Sequence, residues 1–162
     1  MGHSGFYLPK NEDRNTILSR KVFRVSLVVS EWNSKITSNL LQGSVDTLIK
    51  NGILKKNIFI TKVPGSFELI FEAKKKAKDP KIHSVIVIGC LVEGETKHFK
   101  YLCASVSNAI AILNLNSEIP VILCLLMDKN IEQSIDRSGG KAGNKGIDAA
   151  LTSIKMMELN RI

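Results

Sequence analysis

Disulfide chemistry has little to work with in this chain. Its 162 residues include three cysteines, an odd number, and none stands in a Cys-x-x-Cys pair. Cys90, Cys103 and Cys124 each fall in an apolar stretch, so they read as reduced core thiols, and no zinc ligand set gathers around them. No apolar run approaches the ~18 residues of a membrane span, and no signal-peptide core is found, so the expectation is a cytoplasmic protein without a membrane partner. The opening MGHSGF lacks the Ser/Thr that myristoylation requires at its sixth position. Aromatics make up only 6% of the chain. They do not interleave the two basic runs (Arg14, Arg20, Lys21 and Arg24; Lys74 to Lys81), as a single-strand nucleic-acid surface requires. The net charge of +8 therefore reads as solvated faces, with no nucleic-acid partner. GxxxxGK[ST] and GxGxxG are both missing, which leaves nucleotide and dinucleotide binding without support.

What the chain does have is an alternation of two periodicities. Its 44% apolar and 23% charged residues suffice for one buried core. Residues 1–21 are polar and aperiodic and read as a flexible or partner-bound arm; the domain runs from 22 to 162. VFRVSLVVS is a strand. SKITSNLLQGSVDTLIKNG then sets Ile36, Leu40, Leu41, Val45, Leu48 and Ile49 on one helical face and stops at Asn51-Gly52. NIFITKVP is a second strand and SFELIFEAKKKAKD a second helix with a lysine-rich outer face. SVIVIGCLV is apolar on both faces, as a strand inside a covered parallel sheet must be. A third helix carries Phe99, Leu102, Cys103, Val106, Ile110 and Leu113 on its buried stripe. PVILCLLM is a fourth strand. A helical piece around 131–138, the loop GGKAGNKG and a last helix with Ile147, Leu151 and Ile154 inward complete the chain. Strands alternating with helices predict a single α/β domain with a mainly parallel four-stranded sheet between helical layers.

In such sheets ligands sit beyond the carboxyl ends of the strands, where the strand order reverses. Four loops are thereby singled out. SEWN holds Trp32, the only tryptophan, which either caps the core or offers a flat face to a heterocycle. VPGSFE puts Glu68 in the first turn of a helix, where it either balances the helix dipole or accepts hydrogen bonds from sugar-like hydroxyls. GETKH begins a helix whose backbone N–H groups, with the Thr96 hydroxyl, make an anion seat. His98 in that turn is either an inert surface residue or an imidazole able to move protons near neutrality. RSGGKAGNKG brings Arg137, Lys141 and Lys145 within nine residues among four glycines; it is either a flexible basic loop or a phosphate clamp built on Arg137. Together the loops suggest an enzyme for a phosphorylated small molecule and a flat polar ring, with no metal and no nucleotide motif.

At these residues the chain resembles the lumazine synthase family from about Phe23 to Leu159. VPGSFE is similar to the family's VPGAFE, GETKHF to its G-x-T-x-H-F/Y, and IEQSIDRSGGKAGNKG to its IEQAI-x-RAGTKAGNKG, in matching order and spacing. The resemblance implies a flavodoxin-like sheet in order 2-1-3-4. It also implies condensation of 5-amino-6-(D-ribitylamino)uracil with 3,4-dihydroxy-2-butanone 4-phosphate to 6,7-dimethyl-8-ribityllumazine, without a cofactor. Trp32 would stack on the pyrimidine, with Asn33 beside it. Ser66, Phe67 and Glu68 would line the ring and ribityl pocket, with Glu68 bonding hydroxyls. Cys90, Leu91 and Val92 would present backbone groups to the uracil edge. The Glu95 backbone and Thr96 would hold the phosphate, with Arg137 closing over it; Lys145 would lie near the pyrimidine carbonyls, and His98 would move protons.

The departures are specific. Glu93 replaces a basic residue, and Leu123 and Cys124 stand where Phe-Gly is usual, which changes a wall of the ribityl pocket that Leu123 would still line. A weakened relative that only binds lumazine or riboflavin is the alternative. By the same resemblance the chain is expected to form homopentamers with sites between subunits, the arm adding to a neighbour's sheet, and the pentamers building an icosahedral shell.

Overall fold

The computed structural model describes residues 14–160. Four strands carry the fold: β1 (Val25–Ser30), β2 (Ile58–Val63), β3 (Ser84–Val92) and β4 (Val121–Asp128). They form one parallel sheet in the order β2-β1-β3-β4. β1 pairs with both β2 and β3, so the chain moves first to one side of β1 and then to the other. That reversal opens a crevice between the carboxyl ends of β1 and β3.

Four long helices cover the two faces. Alternate residues of β3 explain how: Ile86, Ile88 and Cys90 join a cluster with Ile36, Leu40 and Leu48 of α2 (Ser34–Lys50) and Ala150, Ile154 and Met157 of α6 (Lys145–Leu159). Val85, Val87 and Leu91 point the other way, to Leu69 and Ala73 of α3 (Leu69–Ala77) and Val106 and Ile110 of α4 (His98–Leu115). With a period of two, a strand apolar at every position can be buried only between two helical layers.

The structure departs from the sequence reading at three places. Residues read as an aperiodic arm begin, where they are described, with α1 (Arg14–Ser19) and a 3-10 turn at Arg20–Val22. Arg20 is fully buried, and its Nε and Nη2 both reach Glu158 Oε1 at 2.7 Å. A long-range ion pair across 138 residues leaves no local periodicity to read. The expected addition of the arm to a neighbour's sheet falls largely on residues 1–13, outside the described residues. Ile49 and Ile147, read as inward, are each 41% exposed. The glycine-rich loop is a small antiparallel pair, β5 (Ser138–Gly140) with β6 (Gly143–Asn144), directly after α5 (Ile131–Arg137).

Candidate active site

The crevice is closed over by the loops after β1 and β2. Glu31 and Trp32 donate their backbone N–H groups to the carbonyls of Val63 and Pro64 at 2.8 and 3.2 Å, so the β1 loop rides on the end of β2. Asn33 follows in a left-handed conformation (φ 56°), which asparagine tolerates better than most residues. Its Nδ2 donates to the Cys90 carbonyl at 3.0 Å, tying the loop to β3 across the switch point. This conformation throws Trp32 outward: the indole is 70% exposed, which excludes a core cap. On the β2 side, Ser66 is buried against Gly89 of β3. A methyl at Gly89 would lie 2.9 Å from Ser66 Oγ and 2.7 Å from Leu125 Cδ1, so any larger residue there would displace the side chains that pack loop against strand. Phe67 and Glu68 remain exposed at the lip.

These loops enclose a cavity of about 730 Å³ lined by Trp32, Asn33, Gly65, Ser66, Phe67, Glu68, Cys90, Leu91, Val92, Gly94, Thr96, His98 and part of α4. His98 is the first residue of α4, and its backbone N–H leans on Thr96 Oγ1 at 3.4 Å. The first-turn N–H groups of this 18-residue helix thus face the same space as the imidazole, an arrangement that favours an anion. The surroundings of Cys90 disfavour a thiolate. Burial pushes its thiol pKa up, and nearby Asp128 raises it further, against the opposing hydrogen bonds of Ser134 and Asn33.

Arg137 lies elsewhere. It closes α5, next to β4, and lines a second cavity of about 370 Å³ with Leu123, Cys124, Lys145 and Asp148. Its Nη1 donates to Asp128 Oδ1 at 3.3 Å, and Lys145 Nζ bonds Asp148 Oδ2 at 2.7 Å. Leu123 is 39% exposed on this wall. Of the predicted site residues, the first cavity gathers Trp32, Asn33, Ser66, Phe67, Glu68, Cys90, Leu91, Val92, Thr96 and His98. Arg137, Lys145 and Leu123 share the second cavity, and the Glu95 side chain is exposed and lines neither.

Two groups of residues escaped the sequence reading. Phe99, Leu102 and Ser105 line the first cavity from α4; the signal was their helical spacing from His98, where Phe99 and Leu102 were read as core alone. Asp128 and Ser134 connect the second cavity to the first. Ser134 Oγ donates to Asp128 Oδ2 at 2.8 Å, and the Cys90 thiol approaches Ser134 Oγ at 3.4 Å. A lone acid directly after PVILCLLM was the available hint. Among the described residues no cluster of His, Cys, Asp and Glu could hold a metal ion, and no helix is long and apolar enough to cross a membrane.

The sequence profile of the 6,7-dimethyl-8-ribityllumazine synthase family matches residues 22–161. Among curated relatives, proteins described as 6,7-dimethyl-8-ribityllumazine synthase share 49% identity in Christiangramia forsetii (92% of this chain, 89% of the relative) and 51% in Flavobacterium johnsoniae (89% and 76%). The one from Porphyromonas gingivalis is 41% identical over 93% of both chains.

Proposed function

This chain belongs to the 6,7-dimethyl-8-ribityllumazine synthase family, and from that premise we propose that its two cavities are the halves of an active site completed by a neighbouring copy. The reaction is the condensation of 5-amino-6-(D-ribitylamino)uracil with 3,4-dihydroxy-2-butanone 4-phosphate, a step of riboflavin biosynthesis. The alternative of a relative that only binds the product finds no support among these comparisons.

The observation that carries the two-half reading is the separation of His98 from Arg137. Proton chemistry and phosphate recognition need each other's residues, yet these line different cavities of one chain. A head-to-tail ring sets one patch of each copy against a different patch of the next, and so joins the two cavities at every interface. In that arrangement Trp32 stacks on the pyrimidine, while Glu68 and Phe67 border the ribityl chain. The backbone of β3 from Cys90 to Val92 reads the ring edge. The phosphate rests on Thr96, the Glu95 backbone and the first turn of α4, and Arg137 and Lys145 of the adjoining copy close from the other side.

The chemistry then follows from position. The substrate's 5-amino group attacks the ketone, the carbinolamine loses water to an imine, and phosphate leaves with loss of a carbon-bound proton. The resulting enol becomes a ketone, the ribitylamino nitrogen attacks it, and a second water leaves as the ring closes. His98, beside both the anion seat and the pocket, exchanges protons in these steps. Holding two reactants in register supplies much of the acceleration, since orientation is worth roughly 7–11 kcal/mol.

We further read the ring as a pentamer that builds a hollow icosahedral shell, with residues 1–21 as an arm reaching the adjacent subunit, in the cytoplasm, where the three free thiols would stay reduced. The decisive experiment mixes the protein with both substrates and follows lumazine absorbance. Mixing two impaired variants, His98→Ala with Arg137→Ala, tests the shared site. Regained activity in mixed rings is expected, and none would contradict sites built between copies.

A further inference from the structure

The end of β4 carries a charge that the reaction as described leaves unused. Asp128 is 4% exposed, and each of its carboxylate oxygens has one partner: Arg137 Nη1 at Oδ1 (3.3 Å) and Ser134 Oγ at Oδ2 (2.8 Å). Ser134 and Arg137 are three residues apart on α5 and so share one helical face. The helix is locked at its start. Asn130 Oδ1 accepts from the Gln133 N–H at 3.0 Å, and Gln133 Oε1 accepts from the Lys129 N–H at 2.9 Å. The chain therefore turns from β4 into α5 within two residues and brings that face back onto the strand's last side chain.

A buried carboxylate is costly unless paired, so this pair must be doing something for one of its members. The asymmetry of exposure tells which. The Asp128 side chain is 3% exposed, whereas that of Arg137 is 44% exposed at the open cavity. An arginine on a helix end in solvent has many rotamers; anchoring one nitrogen to a fixed carboxylate removes most of them and leaves the other N–H donors turned outward. Ser134 stands where the family motif has alanine, and its hydroxyl, backed by the Cys90 thiol, satisfies the carboxylate's second oxygen.

We propose that Asp128, held by Ser134, is the positioning residue that aims the Arg137 guanidinium at the substrate phosphate. This rests on the reading of Arg137 as the phosphate clamp. Coulomb's law alone predicts the reverse of positioning: removing a negative charge near the anion would tighten phosphate binding. The two accounts thus differ in sign.

The test is steady-state kinetics on the assembled enzyme, varying each substrate, with inorganic phosphate as competing probe. Asp128→Asn keeps the shape and the hydrogen bond to Ser134 but not the charge. It should raise KM for the phosphorylated substrate about fivefold or more, weaken inhibition by phosphate in parallel, and leave KM for the pyrimidine unchanged. On an Arg137→Ala background it should add nothing. Ser134→Ala, which restores the family's residue and should fold readily, should shift the same KM in the same direction by a smaller factor. An unchanged or lowered KM for the phosphorylated substrate in Asp128→Asn, or equal changes in both KM values, overturns the proposal. Should Asp128→Asn not fold, Ser134→Ala decides by the same criterion. A normal KM in Arg137→Ala would instead remove the clamp itself, and the proposal with it.

Discussion

In the proposed reaction, His98 and Arg137 divide the work unequally. His98 is exposed at the head of α4 with no side-chain partner described, so water and buffer can replace part of its proton traffic. His98→Ala should therefore lower kcat by about a hundredfold or less, with turnover still measurable. Arg137→Ala should cost more in kcat/KM, mainly through KM for the phosphorylated substrate; kinetics with the opposite ranking would reverse the assignment. Cys124 makes a different prediction. Burial pushes its thiol up to about 12 from an ordinary 9.0, with Asp148 adding to the rise and Lys145 opposing it. A raised thiol pKa means that the folded state keeps a proton the unfolded chain releases above pH 9.0. Stability should thus fall with rising pH between those two values, by up to ~1.4 kcal/mol per unit. Urea unfolding at pH 9 and 10.5 should show this loss, and Cys124→Ala should lessen it, with the raised thiols of Cys90 and Cys103 keeping the remainder.

At the scale of elements, the α2–α6 contact leaves little room for change at Gly146. Gly146, in the first turn of α6, lies against α2, where an added methyl would be driven into the Leu40 carbonyl oxygen. Buried Ser44 Oγ is within 2.9 Å of both the Leu40 and Gly146 carbonyls and binds the two backbones together. Gly146→Ala should therefore cost about 3 kcal/mol by overpacking, read as a lower unfolding midpoint in urea, despite alanine's better helix propensity. The turn into α6 depends on the same place, because Asn144 Oδ1 caps the helix by accepting from the Gly146 N–H at 2.8 Å. The glycines of GGKAGNKG were legible as a loop, but their reason was not. The α2 partners of Gly146, Leu40 and Ser44, sit more than a hundred residues earlier in the chain.

At the scale of the whole molecule, the single chain leaves apolar surface that a monomer has little use for. Trp32, Phe67, Phe71, Tyr101, Ile112 and Leu115 are each more than half exposed, with Leu115 at 85%. Surface of this kind marks interfaces, and the proposed division of the active site between two cavities would give the association a function. Light scattering and negative-stain microscopy should find closed shells of pentamers; isolated pentamers alone would remove the shell and leave the shared site intact, whereas an active monomer would remove both.

Much of this protein could be read one segment at a time. Apolar runs at period two, helical stripes and the turn residues between them determined the α/β layering, because those preferences act between near neighbours along the chain. The same locality placed Trp32, Glu68, Thr96 and His98 at strand ends. Only the tertiary structure decided that Trp32 faces outward, that Arg20 is buried against Glu158, and that Asp128 holds Arg137 in a cavity apart from His98. Those outcomes depend on which strands become neighbours and which buried charges find partners, and such pairings join residues that share no local pattern.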